Sequence, residues 1–335
     1  MQPGTPEWSG QVVEDIVDPE TVIVDPHHHL WPTGGALPYG TDDLAADTTS
    51  GHHIVATVFI ECRAGYRPDG PEHLRPVGET EFVVASNEQL VADHPDAPPI
   101  AGIVAHADLS LPPTELDEVL DAHAATAGDR FVGIRDALAR AIEPDALTIP
   151  GRAAEGKCTD DAFRRGVGEL GRRGLVYDTW HYHHQNAELL ELARAVPGTT
   201  MVLDHFGTPL GVGMYAGRRD EIYDEWAQGV SDLARCDNVV AKLGGLAMPD
   251  NGFGWHAADR PPTSDEFVTA QARYYHHTIE AFGPERCMFE SNFPVDRLSL
   301  SYPVLWNALK KIAARYDADE RSSMFEGTAR RVYGI

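Results

Sequence analysis

Short runs of near-continuous apolar residues recur along the chain, separated by longer stretches in which apolar positions return every three or four residues. The short runs are Thr21–Asp25, His53–Glu61, Ile100–Ala105, Phe131–Arg135, Leu175–Asp178, Thr200–Asp204, Val239–Leu243 and Cys287–Glu290. Runs of this length without polar alternation predict parallel strands covered on both faces. The longer stretches predict amphipathic helices over Glu79–Asp93, Pro113–Ala124, Asp160–Arg172, Asn186–Ala195, Asp220–Ala234, Asp265–Phe282, Pro303–Tyr316 and Asp319–Tyr333. Eight strand–helix alternations predict an α/β fold, a (β/α)8 TIM barrel in one domain over residues 21–335, after an N-terminal extension over 1–20. An open doubly wound sheet is the alternative, but no glycine-rich fingerprint follows the first strand, where three histidines stand instead. The longest predicted loops, Arg63–Gly78, Ala137–Lys157 and Ala247–Ser264, all follow strands and therefore crowd the rim where barrel active sites lie.

Composition narrows the function classes. The 335 residues are 42% hydrophobic and 24% charged, which suits a folded globular chain. The net charge of −25 makes nucleic acid and anionic membrane surfaces poor partners, since both need clustered Lys and Arg. No apolar run approaches the ~18 residues of a membrane span. The segment Met1–Asp15 is polar and acidic, unlike a signal peptide, so a cytoplasmic protein is expected. Cys62, Cys158, Cys236 and Cys287 form no CxxC and are expected as reduced thiols.

The strongest local signal is Val24-Asp-Pro-His-His-His-Leu-Trp31 at the end of the first strand. On an extended segment residues i and i+2 face the same way, so His27 and His29 converge and make half of a first-row metal site. The competing reading is a polar strand end in a chain that has 16 histidines. Polar residues also close the other strands: Glu61, Arg135 with Asp136, His181 with His183 and His184, Asp204 with His205, Lys242, and Glu290, Asn292 and Asp296. Collected at strand C-termini of one barrel, they point at one shared cavity. Arg135–Asp136 as an ion pair and His184 as a solvated side chain are the bland alternatives. His52-His53 and His276-His277 are expected at the surface. No GxSxG elbow, P-loop or HExxH is present.

Taken with Val132-Gly-Ile-Arg135, Tyr177-Asp-Thr-Trp-His-Tyr-His183, Val202-Leu-Asp-His-Phe-Gly207, Ala241-Lys-Leu-Gly-Gly-Leu246 and Phe289-Glu-Ser-Asn-Phe-Pro-Val295, the first-strand motif resembles the amidohydrolase superfamily. More narrowly it is similar to the amidohydrolase 2 branch, which holds sugar-acid lactonases, 2-pyrone-4,6-dicarboxylate and 4-sulfomuconolactone hydrolases and, more distantly, zinc-dependent decarboxylases. The resemblance runs from about Val22 nearly to the C-terminus and implies a distorted TIM barrel. It implies metal ligation by His27, His29 and His183, a place beside substrate or metal for His205, and an arginine for substrate anions at Arg135. The eighth strand departs from the pattern. Where many relatives carry an aspartate that serves as ligand and base, this chain has Asn292, whose amide cannot accept a proton. Asp296 or Glu290 then takes that role, Asp296 being favoured because the chain turns at Phe293-Pro294, or no base is needed. Glu61 and Asn292 are the extra ligand candidates. Trp180 and Lys242 are expected to meet the substrate.

The expected reaction is hydrolysis, most plausibly of a lactone, by water activated on a divalent ion, Zn2+ or Mn2+. Decarboxylation on the same scaffold is the alternative, and a non-catalytic small-molecule binder is a second one. The resemblance allows a homodimer, but the sequence carries no oligomer signature.

Overall fold

A computed structural model describes residues 2–31 and 37–335. Eight parallel strands run in the order β1 to β8: Val22–His28, His53–Ile60, Ile100–Ala105, Phe131–Arg135, Val176–Thr179, Met201–Leu203, Val239–Leu243 and Cys287–Phe289. A parallel bridge between His28 and Phe293 brings the chain after β8 back to β1 and closes the barrel. The main helices between and after the strands are α2 to α9: Thr41–Thr48, Val77–Asp93, Pro113–Ala127, Asp161–Arg172, Asn186–Ala195, Arg219–Leu233, Ser264–Phe282 and Tyr302–Ala313. This is the (β/α)8 barrel that the alternation predicts. None of the described helices is long and apolar enough to cross a membrane.

Two differences from the sequence reading have physical causes. Helix α2 is absent from it because Leu44 is the one large apolar residue in Thr-Asp-Asp-Leu-Ala-Ala-Asp-Thr. The single helix expected over Asp319–Tyr333 is broken into α10 (Ala318–Ser322), a π turn over Ser323–Gly327 and α11 (Thr328–Tyr333). The N-terminal segment opens on α1 (Pro6–Ser9) and lies against the barrel. Trp8 is fully buried with its indole N–H on the Ala258 carbonyl at 3.2 Å, while Lys310 Nζ holds the carbonyls of Val17 and Asp18. Lys310 also meets His52 Nδ1 at 2.9 Å, so His52 is buried rather than at the surface.

Strand alternation positions the site. Val24, Val58, Val104, Val132, Val176, Val202, Val240 and Met288 pack together inside the barrel, and Tyr333 of α11 joins them. Two residues further along four of these strands stand Asp178, Asp204, Lys242 and Glu290. With a period of two, a polar layer must therefore rest directly on the apolar one. On β1 the register shifts between Asp25 and His28. Asp25 turns to Tyr302 of α9, whose hydroxyl donates at 3.0 Å, and His27 enters the polar layer instead.

Candidate active site

The polar layer floors a cavity of about 1090 Å3 at the strand C-termini, walled by residues that include His29, Trp31, Glu61, Arg135, Trp180, His205 and Asn292. At its base His27 Nε2 and His29 Nε2 face each other at 3.3 Å, both rings buried. His29 gives its Nδ1 proton to the Ile60 carbonyl at 2.8 Å, which leaves Nε2 as a lone pair. His27 Nδ1 lies 2.8 Å from Glu290 Oε2 and 3.3 Å from Lys242 Nζ. When His27 gives its Nδ1 proton to Glu290, two lone pairs meet at one point, with Arg135 Nη1 near, at 3.5 Å from His27 Nε2, and a cation between the rings would satisfy both. Burial, together with Lys242 beside His27 and Arg135 beside His29, holds both pKa values well below the usual histidine range, so the rings are neutral, as metal ligands must be.

Charge beneath the pair points the same way. Arg135 and Lys242 stand against the four carboxylates of Glu61, Asp178, Asp204 and Glu290, a formal excess of two negative charges that one divalent cation would offset. Burial opposes ionisation of Asp204, but Lys242 and Arg135 outweigh it and hold its pKa below the ordinary value. Burial raises Asp178 to about 6, although Lys242 is 2.6 Å away. Among the described residues His27, Asp204 and His205 also offer donor atoms within 4.8 Å of one another. Lys242 Nζ lies 3.2 Å from Asp204 Oδ1 and Arg135 3.3 Å from Oδ2, but Oδ1 accepts no hydrogen bond among the described residues.

His205 is held through Nδ1 by Glu290 Oε1 at 2.7 Å, so its Nε2 is the open nitrogen of a residue that lines the cavity. The carboxylate of Glu290 thus reaches both His27 and His205. Gly244 and Gly245 make room for this. A Cβ on Gly244 would come within 2.4 Å of Glu290 Cγ, and one on Gly245 within 2.4 Å of His205 Nδ1. The backbone is strained nearby, with φ of 53° at His205 and 55° at Asn292.

Several expected residues sit elsewhere. His183 is not brought to the pair: its ring packs on Tyr215 at 4.9 Å, and its Nδ1 accepts from the Leu210 amide. The aromatic cluster of Tyr182 and Tyr215 holds the segment after β5, and His183 is absent from the cavity wall. Lys242 does not line the cavity; it is fully buried beneath it among Asp178, Asp204 and His27, so it cannot meet substrate. Arg135 does line the cavity, but each of its three nitrogens already donates within the protein. Nε is on Glu61 at 2.9 Å, one terminal nitrogen on the Glu61 carbonyl and the other on Asp204. Its expected partner Asp136 pairs with Lys157 at 2.5 Å. Asp296 is behind Asn292, accepting its amide at 2.9 Å, and burial raises its pKa to about 7. It is absent from the cavity wall, whereas Asn292, Glu61 and Trp180 are on it. His106, half-buried on that wall at the end of β3, was not singled out by sequence.

An amidohydrolase family model matches residues 24–335, nearly the whole barrel. The chain belongs to the amidohydrolase family. A curated protein of Sinorhizobium fredii, the uncharacterized protein y4mH, is 31% identical over 94% of this amidohydrolase and 99% of its own length. The L-fucono-1,5-lactonase of Burkholderia multivorans is 27% identical over 93% of this chain and 96% of its own. A solved amidohydrolase from Burkholderia multivorans with bound zinc superposes with a TM-score of 0.72 at 25% identity, covering 94% of this chain and 99% of that one. Membership makes the chain an enzyme of the hydrolase type and sets aside the non-catalytic binder.

Proposed function

We propose that this amidohydrolase is a divalent-metal-dependent lactonase that opens a small cyclic ester bearing a carboxylate or sugar-acid group. The observation that carries the reading is the buried, facing His27–His29 pair above a layer with two excess negative charges. His27 and His29 would hold the ion, with Glu61 and Asn292 as further donors from the wall. Neutral imidazole donors suit Zn2+, with Mn2+ the alternative. Such an ion supplies Lewis-acid polarisation of a carbonyl and acidifies the attacking water. The likeness to a lactonase supports the cyclic ester as substrate.

The chain's own residues divide the remaining work. His205 takes the proton of the attacking water at Nε2, while Glu290 holds Nδ1 and stabilises the imidazolium. The acyl–oxygen bond breaks, the proton passes to the departing alkoxide, and the product is the ring-opened hydroxy acid. Asp296 acts through Asn292, fixing the orientation of that amide. Trp31 and Trp180 supply apolar wall.

One observation favours decarboxylation as a second reading. Asp296 stands behind Asn292, and the one wall carboxylate nearest the pair, Glu61, is already bonded to Arg135. A reaction that needs no hydrolytic base would tolerate this. A pH-stat trace with CO2 detection over a panel of lactones and aromatic acids separates the two. The proposal predicts acid release from a lactone without CO2, lost on chelation, restored by zinc and absent in His27→Ala. CO2 release from an acid would replace it with the lyase reading, and hydrolysis unchanged after exhaustive chelation would remove the metal.

A further inference from the structure

Four basic side chains line the cavity: Arg63, Arg135, Arg152 and Lys157. Arg135 and Lys157 are neutralised, the first by Glu61 and Asp204, the second by Asp136. Arg63 and Arg152 have no side-chain partner among the described residues and are exposed to the cavity mouth. Of the lining carboxylates, Glu61 and Asp136 are paired. Asp108 and Asp160 accept the backbone amides of Ser110 and Phe163, both at 2.8 Å. Among the described residues Glu155 is the one lining acid without a bond.

Both free arginines stand on backbone that is built rather than loose. Arg63 has φ of 62°, a left-handed conformation that is strained for a non-glycine residue. The buried carboxylate of Glu79, in the first turn of α3, holds it there by accepting the amides on either side, Cys62 N at 3.0 Å and Ala64 N at 2.6 Å. A Cβ at Gly78 would come within 2.6 Å of the Gly65 carbonyl, so the helix start is fitted to this turn. Arg152 is pinned by a bridge to Arg140, by Ala153 N on the Ala139 carbonyl at 2.9 Å, and by Gly151 N on the Tyr182 hydroxyl at 2.7 Å. The structure fixes both backbones at the mouth, Arg63 in a left-handed conformation and Arg152 by its bridge to Arg140, and leaves their guanidinium groups open in a chain whose charge is −25.

We infer that Arg63 and Arg152 are the anion-recognition pair of the cavity, and that the substrate class is a carboxylate-bearing lactone whose anionic groups lie away from the reacting carbonyl. This deepens the lactonase reading and rests on it only for the ring, since the anion site stands on its own geometry. It also moves substrate-anion binding from Arg135, whose charge is neutralised by Glu61 and Asp204, to the rim. A guanidinium fork suits a carboxylate because it donates two parallel hydrogen bonds.

The test is calorimetric binding of glutarate to the purified enzyme, with neutral glutaramide as the control. Wild type is expected to bind glutarate and not glutaramide. Arg63→Gln and Arg152→Gln are each expected to weaken glutarate about tenfold or more, with Arg63→Lys in between, at unchanged melting temperature. Should a Gln variant fold poorly, the Lys variants carry the comparison, since they keep the charge and lose the fork. No binding of glutarate to wild type, or equal binding to the double Gln variant, would overturn the inference. Arginine-dependent glutarate binding without lactone hydrolysis would leave the anion site standing and sink the lactonase reading instead.

Discussion

At the residue scale, most of the site's electrostatics is set by burial, and Asp296 shows how that reaches stability. Burial raises its pKa from 3.8 to about 7. For a carboxylic acid with a raised folded pKa, the folded state binds the proton more tightly than the unfolded state. The contribution is therefore fully favourable below the unfolded value near 4 and is lost as pH rises to 7, a change of at most about 4 kcal/mol. Asp296→Asn removes this titration. In chelator-treated protein, wild type is expected to lose more stability than Asp296→Asn between pH 4 and pH 8. Denaturant melts across that range measure it, and parallel pH profiles for the two proteins would refute the assignment. Sequence alone named His27, His29, His205, Glu290 and Asn292, because each closes or follows a strand. It could not tell which donors were already spent. Arg135 reads as a free anion clamp until Glu61 and Asp204 are seen on it. Arg63 and Arg152 read as ordinary loop residues, since nothing local marks a lone arginine as unpaired.

At the element scale, the barrel was legible because its strands are short apolar runs and its helices amphipathic. The break in the last helix and the outward turn of His183 were not, because both are decided by partners far away in the chain. The broken C-terminal segment has a structural use. It lets α11 send Tyr333 into the barrel interior, where its hydroxyl donates to Asp178 Oδ2 at 2.8 Å. From there a buried chain of contacts runs through Lys242 to His27 Nδ1, so the far end of the barrel supports the floor of the cavity. Tyr333→Phe removes a hydrogen bond to a charged acceptor and is expected to cost about 1.5–3 kcal/mol. Urea melts of the two proteins give the number, and an unchanged midpoint would show that α11 merely fills space.

At the scale of the whole molecule, an apolar barrel interior carries a polar layer whose net charge is negative, and above it opens a cavity whose rim bears two arginines without a side-chain partner among the described residues. The layer repels anions and invites a cation, whereas Arg63 and Arg152 at the rim offer the opposite charge. A ligand with a carboxylate at one end and an electrophilic carbonyl at the other would be oriented by that gradient before any chemistry. The N-terminal segment contributes to the frame, since the Trp8 indole is bonded to Ala258 in the loop that also places Met248 on the cavity wall. A cation held by His27 and His29 is the central requirement of this site. Its most direct test is zinc titration of chelator-treated protein followed by elemental analysis after desalting. The account predicts one equivalent retained by wild type and none by the His27→Ala/His29→Ala double variant with its fold intact. Equal zinc in both proteins, or none in either, would contradict it.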